Sequence, residues 1–276
     1  MKSLRVGMIN FINGMVPDFD FPEIGFEKIY GVPSSLNEML RNGELDLSPV
    51  SSMEYLLNPH LYQVLPDICI ASRDYANTVG VFSKYEPADW NGKRFFLTGY
   101  SLTSIYLFQV LSKLYLRCGV ECVIPRPGDK LPTDLKSLAS EFDGLLLIGD
   151  QVQELKSMNI LPYHDLCSLW NHYTGKSFVF ALWLVRKDCS RVWEGEIKRI
   201  QHGLSFSIQK GLENLDSLFQ RSTGAWNREE FEEYFLHSMI YWLGTRELEG
   251  LRQFSRDLVR CDLIKNEPAI EFFRPV

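Results

Sequence analysis

The sequence predicts an α/β protein of two lobes with a ligand cleft between them. Strand-like and helix-like segments alternate over most of the 276 residues, as in layered α/β folds built on mostly parallel sheets. After about residue 189 the chain has only helical patterns. The polar segment 84–93 and the change from strand to helix at 186–190 are predicted crossings between lobes. Lobe 1 would comprise residues 1–86 and 187–276, and lobe 2 residues 87–186.

Each predicted element rests on its hydrophobic pattern. Short alternating or continuous apolar runs predict strands at SLRVGMIN, ELDLSPV, DICIAS, TVGVFS, GKRFFLTG, DGLLLIGD and SFVFALWLVR. Apolar positions that recur every three or four residues predict helices at VPSSLNEMLRNG, SMEYLLN, TSIYLFQVLSKLYLRCG, DLKSLASEF, WEGEIKRIQHGLSFSIQKGLENL, REEFEEYFLHSMIYWLG and TRELEGLRQFSRDLVRCDLI. In the first helix, Ser35 and Glu38 have capping-box spacing and Gly43 is a stop signal.

Composition narrows the functional classes. The chain is 45% hydrophobic with a net charge of −6, which is typical of a globular protein and unfavourable for general nucleic-acid binding. No run approaches the roughly 20 apolar residues of a membrane span, and the N-terminus lacks a signal-peptide pattern. We therefore expect a cytoplasmic protein. Its six scattered cysteines predict free thiols rather than a metal site.

Small polar residues follow four of the predicted strands. They are Asn10 and Asn13, Ser51 and Ser52, Thr103 and Ser104, and Gly149 and Asp150. Each set could cap a helix, and such a cap typically stabilises the folded protein by about 1 kcal/mol. Alternatively, the sets could converge at the carboxyl ends of the strands and bind a carboxylate with uncharged donors. Because the acidic chain would not attract an anion, such a ligand would need local donors of this kind.

Common enzyme signatures do not occur in the chain. It has no G-x-S-x-G, P-loop, H-E-x-x-H or G-x-G-x-x-G motif. Its five histidines have no metal-binding spacing. The residues alone therefore predict neither an activated nucleophile nor a metal ion.

Several segments taken together resemble the chorismate dehydratase family of the futalosine menaquinone pathway. They are GVPSSLNEMLRNGELDLSPVSSMEYL (31–56), LTS (102–104), DGLLLIGD (143–150), DLCSLWNHYTGKSFVFALWLVR (165–186) and YWLGTRELEGLRQF. The pattern W-x3-T-G-x3-V-F-A-x-W is the most specific of these. The resemblance implies a fold similar to type II periplasmic binding proteins. It also implies dehydration of chorismate to 3-[(1-carboxyvinyl)oxy]benzoate without a cofactor.

The resemblance implies roles for particular residues. Asn13 matches the asparagine of the family's Y-L-N-x-x-P segment, although Phe11 replaces the tyrosine and Pro17 comes one residue late. Asn13 would hold the substrate and polarise the departing hydroxyl, with Asn10 as the second choice. A carboxylate of the substrate would itself accept the proton. The residues expected to bind the substrate are Ser51, Ser52, Thr78, Thr103, Ser104, Gly149 and Trp183.

Two further positions have alternative interpretations. Asp150 would act as an acid towards the leaving hydroxyl or interact with the start of the following helix. Trp183 would line the cleft or pack beneath it. Asn77 stands where the family has an arginine that could balance substrate charge, and Thr78 stands where the family usually has serine.

Three other functions remain open on the sequence. The sister 1,4-dihydroxy-6-naphthoate synthase has a histidine where this chain has Gly149. A solute-binding protein of the same fold would capture a small anion without converting it. An inactive relative would explain the changes at Asn77, Thr78 and Pro17.

Overall fold

Two mixed β-sheets organise the chain. The computed structural model describes residues 3–125, 134–222 and 226–275. The first sheet contains β1 (Leu4–Ile9), β2 (Phe26–Gly31), β3 (Leu47–Ser51), β4 (Tyr62–Ser72), β10 (Phe178–Arg186) and β11 (Met239–Trp242). Its order is β11-β4-β10-β3-β1-β2. Only the β1–β2 and β1–β3 pairs are parallel.

The second sheet is smaller and is also mixed. It contains β5 (Val79–Ser83), β6 (Arg94–Leu97), β7 (Glu121–Val123), β8 (Gly144–Ile148) and β9 (Tyr163–Asp165). Its order is β7-β6-β8-β5-β9, and β5 runs antiparallel to both of its neighbours. The expectation of mostly parallel sheets was therefore wrong, because β5 and β10 run against the strands beside them.

The helices cover the sheets and connect their strands. The α-helices are α1 (Met15–Asp18), α2 (Pro33–Arg41), α3 (Ser52–Leu57), α4 (Leu102–Val110), α5 (Leu135–Glu141), α6 (Asp150–Met158), α7 (Leu166–Thr174), α8 (Lys187–Ser190), α9 (Glu194–Glu213), α10 (Leu215–Arg221), α11 (Arg228–Glu233) and α12 (Thr245–Arg260). No helix in the described part of the chain is long and apolar enough to cross a membrane.

The chain passes between the two sheets at earlier positions than the sequence predicted. Strand β5 belongs to the second sheet although it precedes the predicted crossing at 84–93. Strand β10 belongs to the first sheet although it precedes the predicted crossing at 186–190. The chain therefore passes between sheets before Val79 and again before Phe178. The polar composition of 84–93 marks a surface loop within the second lobe.

Two local expectations also differ from the structure. The segment predicted as one helix through Trp242 is helix α11, a π-helical turn at Tyr234–Ser238 and strand β11. Its last residues alternate between buried and more exposed positions because β11 pairs with β4. Helix α2 begins at Pro33 after Val32 and has no side-chain cap, so the Ser35 capping box does not form.

One large apolar cluster joins the two sheets. It includes Trp183 of β10 in the first sheet, Phe108 of α4, and Phe95 of β6 in the second sheet. A smaller cluster around Phe82 and Leu145 fills the opposite face of the second sheet. Helix α4 follows a strand of the second sheet yet packs on α3, α12 and β10. The ends of strands from both sheets are thereby held close together.

Candidate active site

Strand register brings distant chain segments to one place. Ala181 of β10 pairs with Ser51 of β3 on one side and with Ile70 of β4 on the other. In the second sheet, Val79 at the start of β5 pairs with Ile148 at the end of β8. Antiparallel pairing therefore places the beginning of β5 beside the carboxyl end of β8. All five residues line one cleft.

The cleft is mostly apolar and partly open. It contains about 650 Å³ of empty space, some of which is continuous with solvent. Phe11, Ile12 and Phe180 contribute to its apolar surface. Its polar side chains are Asn13, Ser51, Thr78, Ser101, Ser104 and Tyr234. Among the described residues, none that lines the cleft carries a formal charge.

Three helices begin at the cleft. Pro33 is the first residue of α2, Ser101 is the N-cap of α4, and Gly149 is the N-cap of α6. Each of these residues lines the cleft. The first turns of a helix leave N–H groups without intrahelical acceptors and carry partial positive charge. The backbone therefore supplies a favourable potential for an anion where the side chains supply none.

Asn13 lies on a short 3-10 turn, Ile12–Gly14, after strand β1. Its side-chain oxygen is buried and has no hydrogen-bond partner in the structure. Its backbone carbonyl accepts a hydrogen bond from the Tyr241 hydroxyl at 3.0 Å. A Cβ atom on Gly14 would lie 2.1 Å from the backbone oxygen of Ile9, so only glycine fits there. The turn is thus held firmly while the amide remains available to a ligand.

Ser51 and Thr103 are hydrogen-bonded to each other across two chain segments. The two hydroxyls form a buried contact, and the Thr103 hydroxyl also lies 2.9 Å from the backbone oxygen of Phe180. Donation from Ser51 to Thr103 and from Thr103 to Phe180 satisfies both contacts. Ser51 remains in the cleft lining, but its proton is then directed at protein.

Ser52 and Thr103 were expected to hold carboxylates, and the structure places both outside the lining. The Ser52 hydroxyl donates to the backbone oxygen of Val179 at 2.7 Å, because the residue is fully buried beside β10. Neither Ser51 nor Ser52 caps helix α3 with its side chain. The cap of α4 is Ser101, whose hydroxyl accepts from the Ser104 N–H at 3.3 Å. The Ser52 and Thr103 hydroxyls therefore mainly fix the structure around the cleft.

Thr78, Ser104 and Gly149 do reach the cleft as expected. The Gly149 N–H donates to the Thr78 carbonyl at 2.8 Å, and Gly149 has a φ of 62° that favours glycine. Beside them, the Lys156 ammonium donates to the backbone oxygen of Asn77 at 2.9 Å. A cation therefore stands behind Thr78 although Asn77 itself carries no charge.

Asp150, Trp183 and Asn10 lie outside the lining. Asp150 is exposed in the first turn of α6, and its side chain makes no capping bond. Nearby protein atoms displace part of the hydration of its carboxyl group, which raises the pKa of that group. Trp183 is buried in β10 within the large apolar cluster, so it packs beneath the cleft. Asn10 is exposed.

The sequence interpretation did not include Ser101 and Tyr234 among the site residues. Ser101 could have been found, because a serine three residues before Ser104 at the start of an apolar run has N-cap spacing. Tyr234 gave no signal, since it stands in a segment with helical periodicity. In the described residues, no group of three or more His, Cys, Asp or Glu is placed to hold a metal ion.

Comparison with known proteins points to one family. A family model described as menaquinone biosynthesis matches residues 4–259. The chorismate dehydratase of Thermus thermophilus is 32% identical over 205 residues, which cover 68% of this chain and 72% of that protein. The resemblance inferred from the sequence motifs is confirmed by both findings.

Solved structures with low sequence identity share the fold. A protein of Archaeoglobus fulgidus matches with a TM-score of 0.72 and 20% identity, covering 95% of this chain and 98% of its own. A Candida albicans protein described as having the generic periplasmic binding protein fold matches at 0.70 and 10%, covering 99% and 98%. The alkanesulfonate-binding protein of Xanthomonas axonopodis pv. citri matches at 0.66 and 12%, covering 99% and 96%. The predicted periplasmic-binding-protein-like fold is confirmed.

Substitution can test whether the Thr103 hydroxyl, which links Ser51 to the Phe180 carbonyl, stabilises the fold. We expect Thr103→Val to lower the free energy of unfolding by about 1–3 kcal/mol, because two buried oxygens would lose their partner. Thr103→Ser retains the hydroxyl, so its free energy of unfolding should fall much less. Urea denaturation of both variants measures the difference, and equal losses would show that packing of the methyl group matters more than the bridge.

Proposed function

The chain belongs to the menaquinone biosynthesis family, and on this premise we propose that it is a chorismate dehydratase. The reaction would convert chorismate into 3-[(1-carboxyvinyl)oxy]benzoate and water, as a carbon–oxygen lyase that needs no cofactor. The proposal extends to this chain the activity in the name of its Thermus relative. A role in biosynthesis carries with it the expectation of a cytoplasmic location.

The observation that best supports the proposal is the uncharged character of the cleft. Chorismate is a dianion, and the polar lining offers hydroxyls, an amide and the beginnings of three helices. Such groups bind carboxylates through N–H and O–H donors without placing a cation beside the ring. The apolar walls would hold the ring and displace water from it, which strengthens each of these polar contacts.

A pair of hydroxyls at the start of α4 is suited to one carboxylate. The Ser101 and Ser104 side-chain oxygens lie 2.8 Å apart, so one hydroxyl donates to the other. The proton of the second hydroxyl then remains free for a ligand. We assign this pair, with the partial positive charge at the start of α4, to a carboxylate of the substrate. Ser51, Thr78 and Gly149 would make van der Waals contacts with the bound molecule, because their donors are directed at protein oxygens.

The proposed chemistry uses the substrate's own carboxylate. A ring proton passes to that carboxylate, and the bond between the ring carbon and its hydroxyl breaks. The hydroxyl takes a proton from the carboxylic acid so formed, or from Asp150, and leaves as water, so that the ring proton and the hydroxyl together account for the water released. The remaining ring becomes aromatic, which makes the reaction strongly favourable once the groups are aligned. The Asn13 amide would donate to the departing hydroxyl and hold it in position. Its unpartnered side-chain oxygen is compatible with a second contact to the substrate.

Two alternatives make different predictions. A solute-binding protein is favoured by the same uncharged lining, since capture of an anion also needs only donors. It would bind chorismate or another small anion without converting it. The sister naphthoate synthase requires a base at the position of Gly149, and no described residue lining the cleft is a histidine. Turnover of chorismate separates both alternatives from the dehydratase.

The decisive experiment incubates the purified protein with chorismate. We expect chromatography to show loss of chorismate and equimolar appearance of 3-[(1-carboxyvinyl)oxy]benzoate, without added metal or cofactor. A boiled sample serves as the control for spontaneous decay. Saturable binding with no product above this control would refute the dehydratase and support a solute-binding protein.

The role of Asn13 can be measured against a nearby asparagine. Asn13→Ala should lower kcat by about 10²–10³-fold, the usual cost of removing a positioned donor from the reacting oxygen. Asn10→Ala is the matched control, because Asn10 is exposed and outside the lining. Steady-state kinetics with chorismate compare the two variants. An unchanged kcat for Asn13→Ala would remove it from the reaction.

The role of Asp150 as the acid remains a prediction. The raised pKa of its carboxyl group determines the expected pH dependence of the rate. Only the protonated form can act as an acid, so the rate should fall as pH rises through its pKa. Because nearby protein atoms partly dehydrate this exposed carboxyl group and raise its pKa, the fall should lie above about pH 3.9, the ordinary value for aspartate. Asp150→Asn should lower kcat and abolish this part of the pH–rate profile. A variant with the native rate and profile would show that the carboxyl group plays no part.

A further inference from the structure

We propose that Tyr234 is a further binding residue of the cleft, and that its hydroxyl donates a hydrogen bond to a carboxylate oxygen of the bound dianion. This inference rests on the proposed function, because it takes the ligand to be a small dicarboxylate such as chorismate. It adds a donor from the C-terminal part of the chain, which the sequence interpretation did not connect with the site.

The ring of Tyr234 is held in one orientation. The residue is fully buried and lines the cleft at the first position of the π-helical turn Tyr234–Ser238. Its ring lies 5.2 Å from the ring of Trp226 and 5.0 Å from that of Phe235, measured between centroids. A π-helical turn inserts an extra residue into a helix and is often found at functional sites. The hydroxyl is therefore placed without freedom to rotate away from the cleft.

Among the residues that the structure describes, none offers the Tyr234 hydroxyl an acceptor at a normal hydrogen-bond distance. The nearest hydrogen-bonding group is the Thr78 hydroxyl at 3.5 Å, well beyond the usual 2.7–2.8 Å between two such oxygens. Thr78 has its own acceptor in the Ala76 carbonyl at 3.3 Å. Buried tyrosine hydroxyls normally have a partner, so an acceptor from outside the chain is expected here.

Other buried tyrosines in the chain show the contrast. The hydroxyl of Tyr62 lies 3.0 Å from a Glu54 oxygen, that of Tyr55 lies 2.8 Å from the Ala269 carbonyl, and that of Tyr241 lies 3.0 Å from the Asn13 carbonyl. All three donate to oxygen atoms of the protein at normal distances. Tyr234 differs from them in facing the cleft, where a ligand oxygen would complete its bonding.

The surroundings favour an anionic acceptor. Burial and the negative charge of Asp150 raise the pKa of Tyr234, so the phenol stays protonated and acts as a donor. No formal charge lines the cleft in the described part of the chain, and three helices direct their positive ends at it. A neutral phenol added to these ends suits a carboxylate, which gains more from an O–H donor than an uncharged oxygen does.

The test compares Tyr234→Phe with Tyr62→Phe. Both changes remove one buried tyrosine hydroxyl, but Tyr62 lies at the far end of β4 from Ile70 of the cleft and bonds to Glu54. For Tyr234→Phe we expect the KM for chorismate, and the Kd for the product measured by calorimetry, to rise about tenfold or more, as loss of a hydrogen bond to a charged group predicts. kcat should change by less than about threefold, because binding rather than chemistry is affected.

The remaining outcomes are equally specific. Tyr62→Phe should lower the melting temperature while leaving KM and Kd at the native values. A native KM and Kd for Tyr234→Phe in an active enzyme would overturn this inference alone. A fall in kcat with unchanged KM would also overturn it, since the residue would then act in the reaction itself. If the unmodified protein neither converts nor binds chorismate, the proposed function fails and this inference fails with it.

Discussion

The antiparallel pairing of β10 between β3 and β4 is the constraint on which the site depends. Ala181 has Ser51 on one side and Ile70 on the other, so three distant segments meet at one point of the first sheet. β5 has the equivalent position beside β8 in the second sheet. A strand that returns against its neighbours brings its beginning to their carboxyl ends, where helices also start. The cleft follows from this arrangement.

Within that arrangement, backbone and hydroxyl dipoles replace charged side chains. The hydroxyls of Ser51, Ser52 and Thr103 are satisfied by protein atoms and hold the segments in place. This leaves Asn13, the Ser101–Ser104 pair and Tyr234 as groups with bonding capacity directed at the cleft. Fixed dipoles in a largely apolar enclosure need little reorganisation when a ligand enters, which is the main advantage of such a site for catalysis.

Much of the fold could be predicted from sequence because strands such as DGLLLIGD and SFVFALWLVR are unambiguous apolar runs. The positions where the chain crosses between sheets could not be predicted. Only strand pairing shows that Val79–Ser83 belongs to the second sheet and Phe178–Arg186 to the first. Strand ends made Asn13, Ser51, Ser104 and Gly149 candidates for a cleft, and the family resemblance added Thr78. Spacing could not show that Thr103 bonds to Ser51, nor that a π-helical turn directs Tyr234 inwards, since both depend on tertiary packing.

The uncharged lining also determines how ionic strength acts on ligand capture. Helix ends and hydroxyls inside an apolar enclosure are poorly screened, so dissolved salt has little effect on the strength with which they retain an anion. The net charge of −6, in contrast, repels a dianion during its approach through solvent. For the proposed dianionic substrate, added salt should therefore accelerate association and leave dissociation almost unchanged, the reverse of the behaviour of proteins that attract anions through surface lysines and arginines.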